Sequence, residues 1–181
     1  ALARRALVMI YLRAGQPAKA MATLTPGLAR DNVDPALYAV AGEVYLQNND
    51  LKKAEEYFTK ANQQDPKNAK NRTSLALTRM MGGQVDSGFD ELHDIAASDT
   101  GTTADLALIS LHLRRQEFDK ALAAIDALEK KQPDKPLAAN LRGSFYESLV
   151  AQGHCNLLPP PPEPTASPVA AGEWLARGEC S

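Results

Sequence analysis

At 181 residues, with 44% hydrophobic and 23% charged positions, the chain has an ordinary soluble composition and enough length to bury a full core. A net charge of −2 argues against a nucleic-acid footprint or an anionic-membrane anchor, since both need clustered lysine and arginine. No apolar run approaches the roughly 18 residues of a membrane span; the longest near the start, 6–12, is far too short.

Apolar residues recurring at three and four predict helices near 2–14, 18–30, 36–48, 51–64, 70–82, 85–98, 102–115, 118–131 and 137–151. A second period, of 34 residues, runs beneath the first. Residues 35–68 show it best, with Tyr38, Ala41, Gly42, Tyr45, Asp50, Ala54, Phe58, Ala61 and Pro66. Thirty-four positions earlier the same template takes Leu7, Tyr11, Gly15, Ala20, Leu24 and Leu28; Ala1 to Arg5 already lie inside a helix of it. The chain is therefore expected to be an internal part of a longer protein, with any secretion or lipidation signal upstream. Thirty-four positions later come Leu75, Ala76, Gly83, Gly88, Leu92 and Ile95. A fourth copy, starting one residue early at Thr102, gives Leu108, Ile109, Ala121, Ile125, Leu128 and Pro133. A fixed period of this length means stacked supersecondary units.

Local signals agree with two helices per unit. Asp34-Pro35 offers a capping side chain followed by proline at the first helical position, and Asp50 caps the next helix. Asp65-Pro66 ends it, because the residue before proline is pushed out of the helical region. Thr102 and Asp105 stand at capping-box spacing. Positions 8 and 20 of the units pair Val8 with Ala20, Gly42 with Ala54, Ala76 with Gly88 and Ile109 with Ala121. One member is always alanine or glycine, so the two helices of a unit can approach closely. Tyr38, Tyr45 and Phe58 are expected to fill the space between successive units. A bundle with chance spacing would not place cap, crossing and terminator residues together.

After Gly143 the register fails. Six of the twelve prolines lie between 159 and 168, a stretch suited to polyproline II and unable to build a packed helix. Three readings stand for residues 152–181: a docking ligand without a flanking basic residue, a solvated linker with a short helix at 169–177, or a non-native tail produced by frameshift or truncation. The two cysteines, Cys155 and Cys180, lie here; they fit either redox compartment and could pair if oxidised.

The repeated residues resemble the tetratricopeptide (TPR) signature over residues 1 to about 150. The match weakens in the first copy, where Arg4 and Val8 replace an aromatic and a small residue, and in the third, where Thr100 replaces proline. The resemblance implies an all-α, right-handed superhelical solenoid of antiparallel helix hairpins over 1–151. Its repeats would be near 1–34, 35–68, 69–101 and 102–135, with a last helix at 136–151. A narrower resemblance runs from Asp99 to Gly143: Asp-Thr-Gly-Thr-Thr-Ala-Asp-Leu at 99–106, Glu117 to Ala121, and Lys131 to Gly143. It is similar to the TPR-repeat lipoproteins of PEP-CTERM/exosortase systems in Gram-negative bacteria. That implies a cell-envelope protein linked to exopolysaccharide production and protein sorting, periplasmic and lipid-anchored upstream.

A search for chemistry finds little. His93 stands among Asp86, Asp90 and Asp94 in a stripe that reads as solvated surface; His112 has no second ligand three or four residues away; His154 adjoins Cys155. No phosphate loop, nucleophile elbow or HExxH motif occurs. The expectation is a non-enzymatic scaffold with no cofactor and no metal. By resemblance to TPR grooves, positions two, five, nine, twelve and thirteen face inward: Leu2, Arg5, Met9, Leu12, Arg13; Ala36, Ala39, Glu43, Leu46, Gln47; Lys70, Thr73, Leu77, Met80, Met81; Thr103, Leu106, Ser110, Leu113, Arg114. The terminal-carboxylate clamp of chaperone-binding relatives is missing, because Met9, Glu43, Leu77 and Ser110 occupy position nine.

Leu46, Leu77, Met80, Met81 and Leu113 suggest an apolar groove with basic residues toward its first end, although Met80 and Met81 equally suit packing between repeats. Charge is uneven: residues 1–34 carry five basic and two acidic groups, and residues 69–101 carry three and five. The partner is read as a protein or peptide, without nucleic acid, since Glu43 and Ser110 make a poor basic wall for RNA. The rival reading is an accessory arm of a larger enzyme such as a glycosyltransferase.

Overall fold

The computed structural model describes residues 2–29, 33–154 and 158. Among them are nine helices: α1 (Leu2–Arg13), α2 (Pro17–Leu28), α3 (Ala36–Gln47), α4 (Leu51–Gln64), α5 (Ala69–Met81), α6 (Val85–Ser98), α7 (Thr103–Arg114), α8 (Phe118–Lys131) and α9 (Leu137–Ala151). Each begins and ends within two residues of its expected bounds. The 169–177 helix, the proline-rich stretch and both cysteines fall outside the described residues.

Helix ends follow the side chains that close them. The Asp50 carboxylate accepts from the Lys53 amide at 3.1 Å, and Asn68 accepts from the Asn71 amide at 3.2 Å, each quenching an orphan N–H of the following helix. Asp34 accepts from the Ala36 amide at 3.0 Å, ahead of Pro35. The first helix of each repeat ends alike. Gly15, Asn49, Gly83 and Gln116 have φ of 64°, 59°, 98° and 57°, and the next amide returns to the carbonyl five residues back: Gln16 to Tyr11, Asp50 to Tyr45, Gln84 to Arg79, Glu117 to His112. This left-handed stop reverses the chain into the second helix of the hairpin. Its recurrence at 15, 49, 83 and 116 reproduces the 34-residue period and its one-residue contraction.

The chain forms two compact units, Ala1–Leu108 and Ile109–Ser181, with the boundary inside α7. In the first, α1 pairs with α2, α3 with α4 and α5 with α6, while α3 also packs on α1 and α2, and α5 on α4. Val8, Leu12, Ala20, Leu24, Leu37, Val40, Ala41 and Val44 make one core; Ala54, Phe58 and Leu75 make another. In the second unit Ile109, Ala121, Ile125, Leu128, Ala138, Phe145, Tyr146, Leu149 and Leu158 are buried together.

Small residues set the crossings. A methyl group at Gly42 would stand 2.7 Å from the Phe58 ring, so the α3–α4 hairpin closes only over hydrogen. Phe58 thus fills its own hairpin as well as the space against Leu75 of the next. The tyrosines pack within their own repeat too, and Tyr45 also adjoins the Ala54–Phe58–Leu75 cluster. Tyr45 stacks on Tyr57 at 5.3 Å and Tyr38 lies 6.4 Å from the same ring, so both pack against the second helix of their own repeat. Burial raises the Tyr57 phenol above its ordinary pKa, with neighbouring Tyr45 adding to the rise.

Candidate functional site

Among α1, α3 and α5 lies a cleft of about 460 Å³. Its walls are Arg5 and Met9 from α1, Ala36, Ala39, Val40 and Glu43 from α3, and Lys70 and Asn71 from α5. The end of α4 and the loop after it add Ala61, Gln64, Asp65 and Asn68. Lys70 Nζ and Glu43 Oε1 stand 3.3 Å apart with the lysine 66% exposed. An ion pair so open to water contributes at most about 1 kcal/mol and is readily exchanged for a ligand's charge. Arg5 is half-buried in the wall with no carboxylate in ion-pair range among the described residues. Its fork of five N–H donors is therefore open to a partner's carboxylate or peptide carbonyls.

Of the inward positions in the first unit, Arg5, Met9, Ala36, Ala39, Glu43 and Lys70 meet in this cleft. The others are elsewhere. Leu12 is 5% exposed and belongs to the core, and Thr73 is buried. Leu46 packs against the Ala54–Phe58–Leu75 cluster, and Leu77 is half-buried. Met80 lies over Gly88 of α6, so close that a methyl there would have to push the Met80 side chain aside, and this is packing inside the third hairpin. Met81, Arg13, Gln47, Leu2 and Thr103 are exposed, and Leu106 is half-buried.

The second unit carries a smaller cleft of about 270 Å³ lined by Ile109, Leu113, Phe118, Ile125, Leu141, Phe145 and Leu149, rimmed by Arg114, Gln116, Ser144, Ser148 and Gln152. Leu113 and Arg114 line it, while Ser110 is exposed beside it on α7. At the α7–α8 turn, Nδ1 of the buried His112 lies 2.7 Å from Oε2 of Glu117, and Arg115 and Lys120 approach the same carboxylate at 3.1 and 3.6 Å. The His112 hydrogen bond, and behind it the two cations, hold the Glu117 carboxyl below the usual carboxylate range, against burial. Arg142 of α9 reaches Asp126 and Glu129 of α8 at 2.7 and 2.6 Å, and Glu129 above all raises its pKa. These groups tie helices together.

Sequence reasoning missed Gln64, Asp65, Asn68 and Asn71 in the first cleft. The signal was present: the Asp65–Asn68 loop joins one repeat to the next and must border any space between their first helices. It was read only as a helix terminator. Among the described residues no group of three His, Cys, Asp or Glu is placed to hold a metal, and no helix is long and apolar enough to cross a membrane.

Comparison with known families completes the picture. A tetratricopeptide repeat family model matches residues 5–69 and 106–151, more than half of the chain. The chain belongs to the tetratricopeptide repeat family. The third repeat, where the spacing is weakest, lies between the matched segments. No curated protein sequence matches. Solved structures with a similar fold include MamA AMB-1 (TM-score 0.53, 16% identity, 99% of this chain and 98% of that one) and a MamA RS-1 double mutant (0.57, 16%, 98% and 92%). A third is MamA MSR-1 (0.53, 16%, 99% and 98%). At such identity the likeness is one of fold. A TPR stack of this kind is a protein-interaction scaffold.

Proposed function

We propose that this chain is a non-enzymatic scaffold that holds an extended segment of a partner protein in the α1–α3–α5 cleft. The observation that carries the reading is the cleft itself: three first helices of successive hairpins border one space lined by Arg5, which meets no carboxylate among the described residues, and by an exchangeable Lys70–Glu43 pair. Recognition there is mixed, with Arg5, Glu43 and Lys70 supplying charge and Met9, Ala36 and Ala39 supplying apolar contact at about 25 cal/mol per Å² before association costs. The biological setting that best suits the residues at 99–143 is an envelope exopolysaccharide and protein-sorting system of the PEP-CTERM type. There the protein would be periplasmic, anchored by lipid through a segment upstream. What supports this setting is the sequence resemblance of those residues alone.

The test is affinity capture from the host's envelope fraction, followed by titration of the purified partner. Arg5→Glu and Lys70→Glu each weaken binding tenfold or more, whereas Arg114→Glu, in the other cleft, leaves it unchanged. An unaltered Kd in Arg5→Glu contradicts the assignment. Loss in a Leu113→Glu variant with Arg5→Glu silent would move the site to the smaller cleft.

A further inference from the structure

We infer that the apolar cleft of the second unit, among α7, α8 and α9, is the seat of the chain's own segment 159–163, Pro-Pro-Pro-Pro-Glu, which lies outside the described residues. The way α9 ends brings the chain there. Gly153 has φ of 76°, and the His154 amide returns to the Leu149 carbonyl at 2.8 Å, five residues back. This is the left-handed stop seen after α1, α3, α5 and α7, and it turns the chain back along its own helix. Two described residues beyond it mark the course. The His154 ring lies 5.2 Å from that of Phe118, which walls the cleft. Leu158 is 7% exposed and shares a buried cluster with Ile109, Ile125, Phe145 and Leu149, all of which line the cleft. The proline segment therefore starts beside it.

Segment and cleft are complementary in chemistry. A proline run has no N–H to satisfy and offers ring faces and carbonyl acceptors. It favours polyproline II without partners, so little order is lost on docking, and grooves that take it combine aromatic walls with donors at the rim. Here Phe118 and Phe145, 6.1 Å apart, form the aromatic wall, and Gln116 and Ser144 are donors at the rim. Charge fits as well. Glu163 is the only charged residue between His154 and Glu173, and Arg114, exposed at the rim, meets no carboxylate among the described residues. The lengths also agree. Five residues of polyproline II cover about 15 Å at 3.1 Å each, and the lining from Leu141 to Gln152 runs about 16 Å at 1.5 Å per residue. Tethered at Leu158, the segment outcompetes a free partner of equal affinity by its effective concentration. The charged cleft of the first unit is then the one left open to other proteins.

The experiment places a photo-crosslinking residue at Ser144, exposed on α9, in the full chain under reducing conditions, and maps the product by mass spectrometry. The expected product is a monomer coupled within 159–163. Pro159→Ser, Pro160→Ser, Pro161→Ser and Pro162→Ser combined lower its yield at least tenfold. Glu163→Lys lowers it about threefold, the scale of an exposed ion pair, and adding Arg114→Glu restores it. A yield that survives the four serines overturns the inference, since tethering at Leu158 alone would then explain the coupling. So does a yield indifferent to Glu163→Lys, or coupling of Ser144 only elsewhere in the chain or to a second copy. Should the residue at Ser144 reduce helix content, the same residue at Ser148 decides by the same criteria.

Discussion

The two clefts occupy comparable ground in their own units, against the inner helices of successive repeats, and yet the first is the more charged and the second the more apolar. The larger, on α1, α3 and α5, is bordered by Arg5, Glu43, Asp65, Asn68, Lys70 and Asn71; the smaller, among α7, α8 and α9, is walled by Leu113, Phe118, Leu141, Phe145 and Leu149. What separates them is which side chains border the space. At the first, a polar loop after α4 adds Asp65 and Asn68 to the lining. At the second, Phe118 and Phe145 lie 6.1 Å apart and give the wall its aromatic part. An open, charged lining suits reversible binding; an apolar one is continuous with the core beside it.

The division can be broken most severely at its two aromatic anchors. Phe58→Ala and Phe145→Ala should each cost about 3–5 kcal/mol, because both rings are buried and leave cavities. Hydrogen exchange should show the first loosening α3–α5 and the second α8–α9. Uniform loosening in both variants would erase the distinction between the units.

Next in size is a contrast within the first unit. Gly42→Ala should cost about 1–3 kcal/mol in urea unfolding, since the new methyl meets the rigid Phe58 ring. Gly88→Ala should be near neutral, because Met80 can repack and alanine recovers about 1 kcal/mol of helix propensity. Equal costs would show that the side chain opposite the glycine is not what matters.

Two smaller effects belong to the second unit. Gln116 holds the left-handed position that glycine takes in the first and third repeats, so Gln116→Gly should stabilise by about 1 kcal/mol, read as a raised melting temperature. The neighbouring Glu117 should give the weakest signal. Its carboxyl pKa is lowered in the folded chain, so its contribution is complete above the unfolded value of about 4.3 and fades as pH falls through the folded value. The stability gap between the native chain and Glu117→Gln should therefore close on acidification from pH 7 to pH 3. A gap independent of pH would place its origin elsewhere.

Nearly all of the fold was legible in the residues. Cap, crossing and stop signals recur at one period, and each acts locally: Asp50 on the Lys53 amide, Gly42 under Phe58, the left-handed residue after each first helix. The site was legible only in part. The resemblance to TPR grooves places Arg5, Ala39, Glu43 and Lys70 on one wall, but it is blind to a loop that folds over the end of that wall, as 64–68 does. It also cannot tell a lining methionine from one that fills a void. Met80 is set by Gly88 on the facing helix, which no single helical wheel includes, and only coordinates bring the two together.

The central claim is that a partner enters the α1–α3–α5 cleft, and a photo-crosslinking residue tests it most directly. Placed at Ala39, in the wall of the cleft, it should couple to the captured partner; placed at Lys52, exposed on α4, it should not. Coupling from Lys52 with none from Ala39 would put the partner on the other side of the hairpin and contradict the account.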